Sequence, residues 1–395
     1  MKNNIWDTKI EVEENLYNWK KEPVFINSTK KISKDYIHID LFSGCGGFSE
    51  GFKQAGFTTT LAIDIHPPSL KTLQYNSPET NLICGDIRKI NYKLISDYKT
   101  KKPLVITAGV PCQGFSLSNR KRHSEDKRNF LFQEFIKITK FLNPTAVILE
   151  NVSGLVSTAK GYFKNTISKA IEDLGFNVSF ATLNACNYGV PQKRKRVFFV
   201  GTRRNNWLFP EFSHGPGLKP FVTVKDAILG DLPLLNSGES SKKYILNPQS
   251  DYQKYLRKNS DELLNHEAPN HPEETILKIK NTKPGEPMYP KFRQRIRLRL
   301  DDLSPTQICG GIRPQFQFGH PSQARGLTIR ERARIQSFPD NYFFSGGIVQ
   351  GRVQTGNAVP PLLAKSLAKQ LINLFNGKTL EGIKNENSSQ KEFEF

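Results

Sequence analysis

From Tyr36 onward the chain alternates short apolar runs with longer amphipathic stretches. The runs at 37–42, 59–63, 81–84, 104–108, 146–149, 178–183 and 197–201 have the length and the Val, Ile and Leu content of buried strands. Residues 130–142 and 163–174 carry helical periodicity, the first stopped by Asn143-Pro144 and the second by Gly175. Strand followed by helix, repeated, predicts an α/β fold with a doubly wound, Rossmann-like and mainly parallel sheet. In such sheets ligands bind beyond the carboxyl ends of the strands, so the residues that end each run are the candidates for chemistry.

The rest of the chain lacks this rhythm. Residues 1–36 are polar and lysine-rich and read as an N-terminal extension with one short helix near 13–20. Residues 37–202 form the sheet domain, and 203–324, rich in Pro, Gly, Asn and charge, read as a smaller irregular domain. Residues 325–376 return to the sheet domain and include an apolar helix at 361–375, followed by a polar tail at 377–395. Inside the irregular domain FRQRIRLRL alternates strictly and predicts a strand with Arg293, Arg295, Arg297 and Arg299 on one face. That face meets either phosphates or solvent.

Charge narrows the partners. Lysine and arginine number 57 against 37 acidic residues, a formal +20, which favours a polyanion, nucleic acid first. A generally Lys- and Asn-rich composition is the plainer reading of the same excess. Hydrophobic residues make up 37%, no apolar run approaches the ~18 residues of a membrane span, and the first residues lack a secretory pattern. The expectation is a soluble cytoplasmic protein with no membrane partner. Five cysteines, at 45, 84, 112, 186 and 309, stand apart with no C-x-x-C pair, which predicts reduced thiols and no metal site. Each is either a small core residue or a nucleophile.

The first run leads into DLFSGCGGFSEG, where Gly44, Gly46 and Gly47 let the backbone approach a ligand ahead of a helix. Asp64, at the end of the second run, can accept from ribose hydroxyls, and Asp86, in CGDI after the third, can hold an adenine amino group. Together they suggest an adenosine-containing cofactor; a nicotinamide dinucleotide satisfies the same pattern, as does a structural turn with two surface carboxylates. The fourth run ends AGVPCQGFS and puts Cys112 after a proline at the same edge. The fifth ends VILENV with Glu150, a potential proton donor, and QKRKR places Arg194 and Arg196 before the last run.

DLFSGCGG, PCQGFS, ENV, QKRKR, RGLTIRERARIQSFPD and GNAVPP stand in the order found in cytosine-5 DNA methyltransferases, and the chain resembles that family from about residue 37 to about 375. Its compact length resembles the prokaryotic type II restriction-modification methylases. The resemblance implies an S-adenosyl-L-methionine (AdoMet)-dependent methyltransferase fold, with residues 203–324 recognising the target. It implies that Cys112 adds to C6 of a cytosine flipped out of duplex DNA, with Glu150 on N3 and Arg196 and Arg194 beside the base and its phosphate. Phe42, Gly44, Gly46, Gly47, Asp64, Asp86 and Asn357 would line the cofactor pocket, and the last requires the C-terminal helix to pack back on the first strand. Gln113 and Ser116, on a polar loop able to close over DNA, join the four arginines as DNA contacts.

A cognate restriction endonuclease, a monomeric state and a place at the nucleoid follow from the same resemblance. Methylation of transfer RNA shares the motifs, but an insert of this length suits base reading in a DNA groove. A nicotinamide-dependent oxidoreductase leaves PCQGFS, ENV and QKRKR without a role. A zinc deaminase would need P-C-x-x-C, and a module that only binds would be expected to lack Cys112 or Glu150.

Overall fold

The computed structural model describes residues 22–29, 35–111, 131–204, 207–309 and 317–383. They fall into two compact units, one made of residues up to 183, 196–211 and 367 onward, the other of 184–195 and 212–366.

The first unit is built on one sheet. In chain order come β1 (Val24–Ile26), β2 (Ile37–Leu41), α1 (Gly47–Ala55), β3 (Thr58–Asp64), α2 (Pro67–Asn76), β4 (Asn81–Cys84) and β5 (Leu104–Gly109). Then follow α3 (Phe132–Leu142), β6 (Ala146–Val152), α4 (Tyr162–Glu172), β7 (Asn177–Asn184), β8 (Gln192–Lys193) and β9 (Lys195–Thr202), of which β8 belongs to the second unit. The strands order as β1-β4-β3-β2-β5-β6-β9-β7. From β4 to β6 they are parallel, while β1 on β4 and β9 on β6 run antiparallel. Apolar residues occupy successive positions because helices cover both faces, and Ile39, Leu41, Ile63, Ile106, Leu149 and Phe199 share one core. The chain order reverses between β2 and β5, whose ends lie side by side with Leu41 paired to Ala108. The seven runs read from the sequence are all strands of this sheet.

The return of the C-terminal helix to the first strand was expected, while two other features were not anticipated. Part of the N-terminal extension is a strand: β1 lines the open edge of β4, and Pro23 packs on Gly85, where an added Cβ would lie 2.7 Å from the Pro23 Cα. The expected helix at 13–20 lies outside the described residues. The end of α10 (Pro361–Phe375) stacks Phe375 on Tyr36, and the Tyr36 hydroxyl donates to Asn376 Oδ1 at 2.6 Å, which returns the chain to the start of β2. Finally, the unit boundaries differ from the division suggested by the sequence, because 184–195 and 325–366 fold with the irregular segment.

In that second unit α5 (Val224–Ile228), α6 (Asp251–Arg257), α7 (Glu273–Asn281), α8 (Ile329–Ile335) and α9 (Gly347–Asn357) surround their own core, and β10 (Ser304–Pro305) pairs with β8. Leu327 and Ile335 pack with Val224, Leu256, Leu263 and Leu298, which explains the boundary. Both α5 and α8 start with a capping box, Thr223 with Asp226 and Thr328 with Glu331, so their first N–H groups are satisfied. FRQRIRLRL is not a strand. It makes only isolated bridges, Ile296 to Pro287 and Arg297 to Gly319, and its arginines do not share a face. Arg297 instead turns inward, donating to the carbonyls of Ile279, Lys280 and Thr282 at the end of α7. The alternation does not become a strand face, because Arg297 is drawn inward while Arg293 and Arg299 stay exposed.

Candidate active site

After β2 the backbone enters the left-handed region three times within five residues, at Phe42 (φ 55°), Gly44 (φ 53°) and Gly46 (φ 86°). The turn is fastened to the next strand: Gly44 N donates to Asp64 Oδ2 at 2.7 Å, and His66 N donates to Oδ1 at 2.8 Å. Burial pushes the Asp64 carboxyl up while these two donors pull it down, with a net upward shift. A Cβ at Gly44 would meet nothing within 4 Å, so the turn encloses an open cradle, and Gly47 begins α1 directly behind it. Such a cradle, with a helix start and an acceptor on the next strand, fits the nucleoside and the charged end of AdoMet.

Beneath the turn runs a buried polar chain that periodicity disguised. His38 Nδ1 and Nε2 lie 2.8 Å from the hydroxyls of Thr59 and Thr107, and Thr107 donates to Asp40 Oδ1 at 2.8 Å. Asp40 Oδ2 accepts from Ser49 N and Oγ in the first turn of α1. Burial lowers His38 to about 3 and raises Asp40 to about 6. In IHIDL the polar positions look solvent-facing; the signal available was that a sheet covered on both faces has no solvent face.

Asp86 follows Gly85 beyond β4. Its Oδ1 accepts from Arg88 N, and the Arg88 guanidinium grips both carboxylate oxygens, holding the carboxyl below its usual range.

At the end of β5, Gly109 is paired with Glu150 of β6, and a Cβ added to it would lie 3.6 Å from Phe42 O and 3.8 Å from Glu150 Oε2. The strand that leads to PCQGFS therefore ends between the glycine turn and the carboxylate. Val110 O accepts from Asn151 Nδ2 at 3.2 Å, tying the two strand ends together. Cys112, Gln113, Ser116 and the loop after them lie outside the described residues. Glu150 Oε1 is 3.0 Å from Arg196 Nε, both side chains largely shielded, and burial lowers the Arg196 pKa against the opposing pull of Glu150. Of the other cysteines, Cys45, Cys84 and Cys186 are buried, and burial pushes Cys84 to about 12 and Cys186 to about 11, so neither is a thiolate at neutral pH.

In the second unit Arg194 is buried, with Nη1 on Gln307 O at 2.9 Å and Nη2 on Gly356 O at 3.0 Å. The following residue, Asn357, is exposed at the end of α9. Gln192 adds to the same knot, accepting from Gln307 N and donating to Gln336, which in turn donates to Ala358 O. QKRKR, RGLTIRERARIQ and GNAVPP are thus laced together through Arg194 and through Gln192, Gln307 and Gln336, three residues that sequence reasoning did not single out. Arg293 and Arg299 are exposed, and Arg295 lies 4.5 Å over the Phe292 ring. Among the described residues no group of His, Cys, Asp or Glu is arranged to hold a metal, and no helix is long and apolar enough to cross a membrane.

Comparison with known proteins agrees with this geometry. Residues 36–373 match the family model for C-5 cytosine-specific DNA methylases. The type II methyltransferase M.DdeI of Desulfomicrobium norvegicum is 36% identical over 378 residues, covering 86% of this chain and 90% of that protein. M1.HphI of Haemophilus parahaemolyticus is 35% identical, covering 85% and 87%. A crystal structure described as a DNA modification methyltransferase encoded within an E. coli prophage superimposes with a TM-score of 0.70 at 26% identity, over 86% of this chain and 99% of that one. The chain belongs to the C-5 cytosine-specific DNA methylase family, whose methyl donor is S-adenosyl-L-methionine.

Proposed function

We propose that this enzyme methylates C5 of a cytosine flipped out of a specific duplex DNA sequence, with Cys112 as nucleophile and Glu150 as proton donor. The observation that carries the assignment is the position of Gly109, in contact range of both the glycine turn and Glu150, three residues before the thiol. C6 is inaccessible in a stacked duplex, so the base must leave the helix at a cost of a few kcal/mol. The Cys112 thiolate then adds to C6, Glu150 protonates N3, and the electron density gathered at C5 becomes nucleophilic. Arg196 fixes the Glu150 carboxyl in its rotamer through the 3.0 Å contact. AdoMet supplies an electrophilic methyl on its sulfonium. Transfer of the C5 proton to solvent water, return of the N3 proton to Glu150 and expulsion of the Cys112 thiolate restore the aromatic ring.

On this reading Gly44, Gly46, Gly47 and Phe42 cradle the cofactor, Asp64 accepts from its ribose, and Asp86 faces the adenine side. Asn357 is assigned on the resemblance alone. Gln113, Ser116, Arg293, Arg295 and Arg299 contact DNA, whereas Arg297 and Arg194, engaged on backbone carbonyls, act through the backbone they brace. A cognate endonuclease, a monomeric enzyme and a nucleoid location fit relatives named as type II methyltransferases.

Incubation with radiolabelled AdoMet and either duplex DNA or transfer RNA, followed by sequencing of modified positions, tests the substrate. Label in RNA and none in DNA overturns it. DNA carrying 5-fluorocytosine should become covalently trapped on the parent enzyme and not on Cys112→Ser; an active serine variant removes the nucleophile assignment.

A further inference from the structure

The segment RGLTIRERAR places four arginines in the second unit, and three of them are matched by carboxylates. Arg325 forms two contacts with Glu331, Arg334 pairs with Asp231 and Asp340, and Arg330 lies 3.6 Å from Asp340. Arg332 is different. It is only 3% exposed, yet among the described residues it meets no carboxylate: Nε donates to Thr355 Oγ1 and Nη2 to Ile308 O, both at 3.1 Å.

The packing brings a second cation to the same place. Helices α8 and α9 touch at Gly351, where an added Cβ would lie 2.7 Å from Ile329 Cγ1. One turn further along each helix Arg332 meets Thr355, and the chain at Ile308 and Cys309 lies directly on Gly356. Arg352 follows Gly351 on this contact, half-buried, and no carboxylate pairs with it among the described residues. Its charge acts on Arg332, which burial and this repulsion hold at about 9, and on His271, which burial keeps neutral and whose Nε2 accepts from Gly326 N.

Arg332 is buried and Arg352 half-buried on the packed α8–α9 contact, and among the described residues no carboxylate pairs with either, an arrangement that folding alone does not favour, since an unpaired buried charge costs several kcal/mol. An anion entering between them removes the penalty. We propose that Arg332 and Arg352 form a phosphate site on the second unit that anchors the sugar-phosphate backbone of the DNA. Planar guanidiniums suit phosphodiester oxygens, which accept two parallel N–H groups. The inference rests on DNA being the substrate and adds the residues through which this unit grips it independently of base sequence.

The test is binding of a random-sequence duplex by the full chain, followed by fluorescence anisotropy between 50 and 200 mM salt. Arg352→Gln should weaken binding several-fold at 100 mM salt and lower the slope of log affinity against log salt by about 0.9, the share of one phosphate. Arg352→Lys should keep the slope while losing part of the affinity. AdoMet affinity, measured in parallel, should not move. An unchanged slope in Arg352→Gln overturns the proposal, and so does a loss of AdoMet affinity with DNA binding intact, which would make the cofactor carboxylate the anion. The trapping experiment above reads Cys112 alone, so its failure is distinguishable from failure of this one.

Discussion

Glu150 Oε1 lies 3.0 Å from Arg196 Nε although Arg196 stands opposite Val152 on the antiparallel neighbour, so the ion pair is diagonal across two strands. A diagonal contact leaves the second carboxylate oxygen, Oε2, on the side of Gly109 and the strand end that leads to Cys112.

Glu150→Gln keeps the shape and removes the proposed proton donor. Single-turnover methyl transfer should slow by about 10²- to 10⁴-fold with AdoMet affinity unchanged. An equal loss in AdoMet affinity would show that Glu150 supports the cofactor and not the base.

Asp40 and His38 give opposing pH dependences. Asp40 ionises near its ordinary 3.8 when unfolded and near 6 when folded, so its contribution to stability is full below 4 and is lost as pH rises to 6. His38 stays neutral in the fold down to about 3 against an ordinary 6.5, so its contribution grows over that range. Asp40→Asn removes only the falling part. Its stability relative to the parent, from urea unfolding, should climb by about 2 kcal/mol between pH 4 and pH 6; a flat difference would mean Asp40 is ionised throughout.

Two glycine substitutions separate cradle from buttress. Gly44→Ala meets no atoms but keeps a left-handed φ, at a cost of about 1–2 kcal/mol, and its methyl enters the cradle. The AdoMet KM should rise while Tm drops by a few degrees. Gly85→Ala drives a Cβ onto the Pro23 backbone, so β1 should detach, seen as proteolytic cleavage between residues 22 and 29.

Arg334→Met leaves Asp231 and Asp340 facing each other without their shared cation. Breaking a buried pair from one side costs about 3–5 kcal/mol, so calorimetry should show a large fall in Tm. A near-parental Tm would mean the cluster is hydrated.

The parallel sheet was legible because strands covered on both faces become unbroken apolar runs, and Gly44, Asp64 and Glu150 could be singled out as candidates because their motifs sit at the ends of those runs. What the sequence concealed depends on distant partners. Three residues after a proline gave no strand signal at Val24–Ile26, whose existence rests on the free edge of β4. The arginines of FRQRIRLRL carried a true alternation that tertiary contacts overrode, with Arg297 spent on the end of a helix. Leu327 and Ile335 belong to the core around Val224 and Leu256, a fact invisible until the chain is folded.

That shared core has a practical consequence for building chimaeras. Exchanging residues 203–324 alone for the corresponding stretch of a relative would cut through a single apolar nucleus, separating Val224 and Leu298 from Leu327, Ile335 and Leu362. A graft meant to transfer sequence preference should therefore carry the helices through 366 with it, or have both halves of the interface redesigned together.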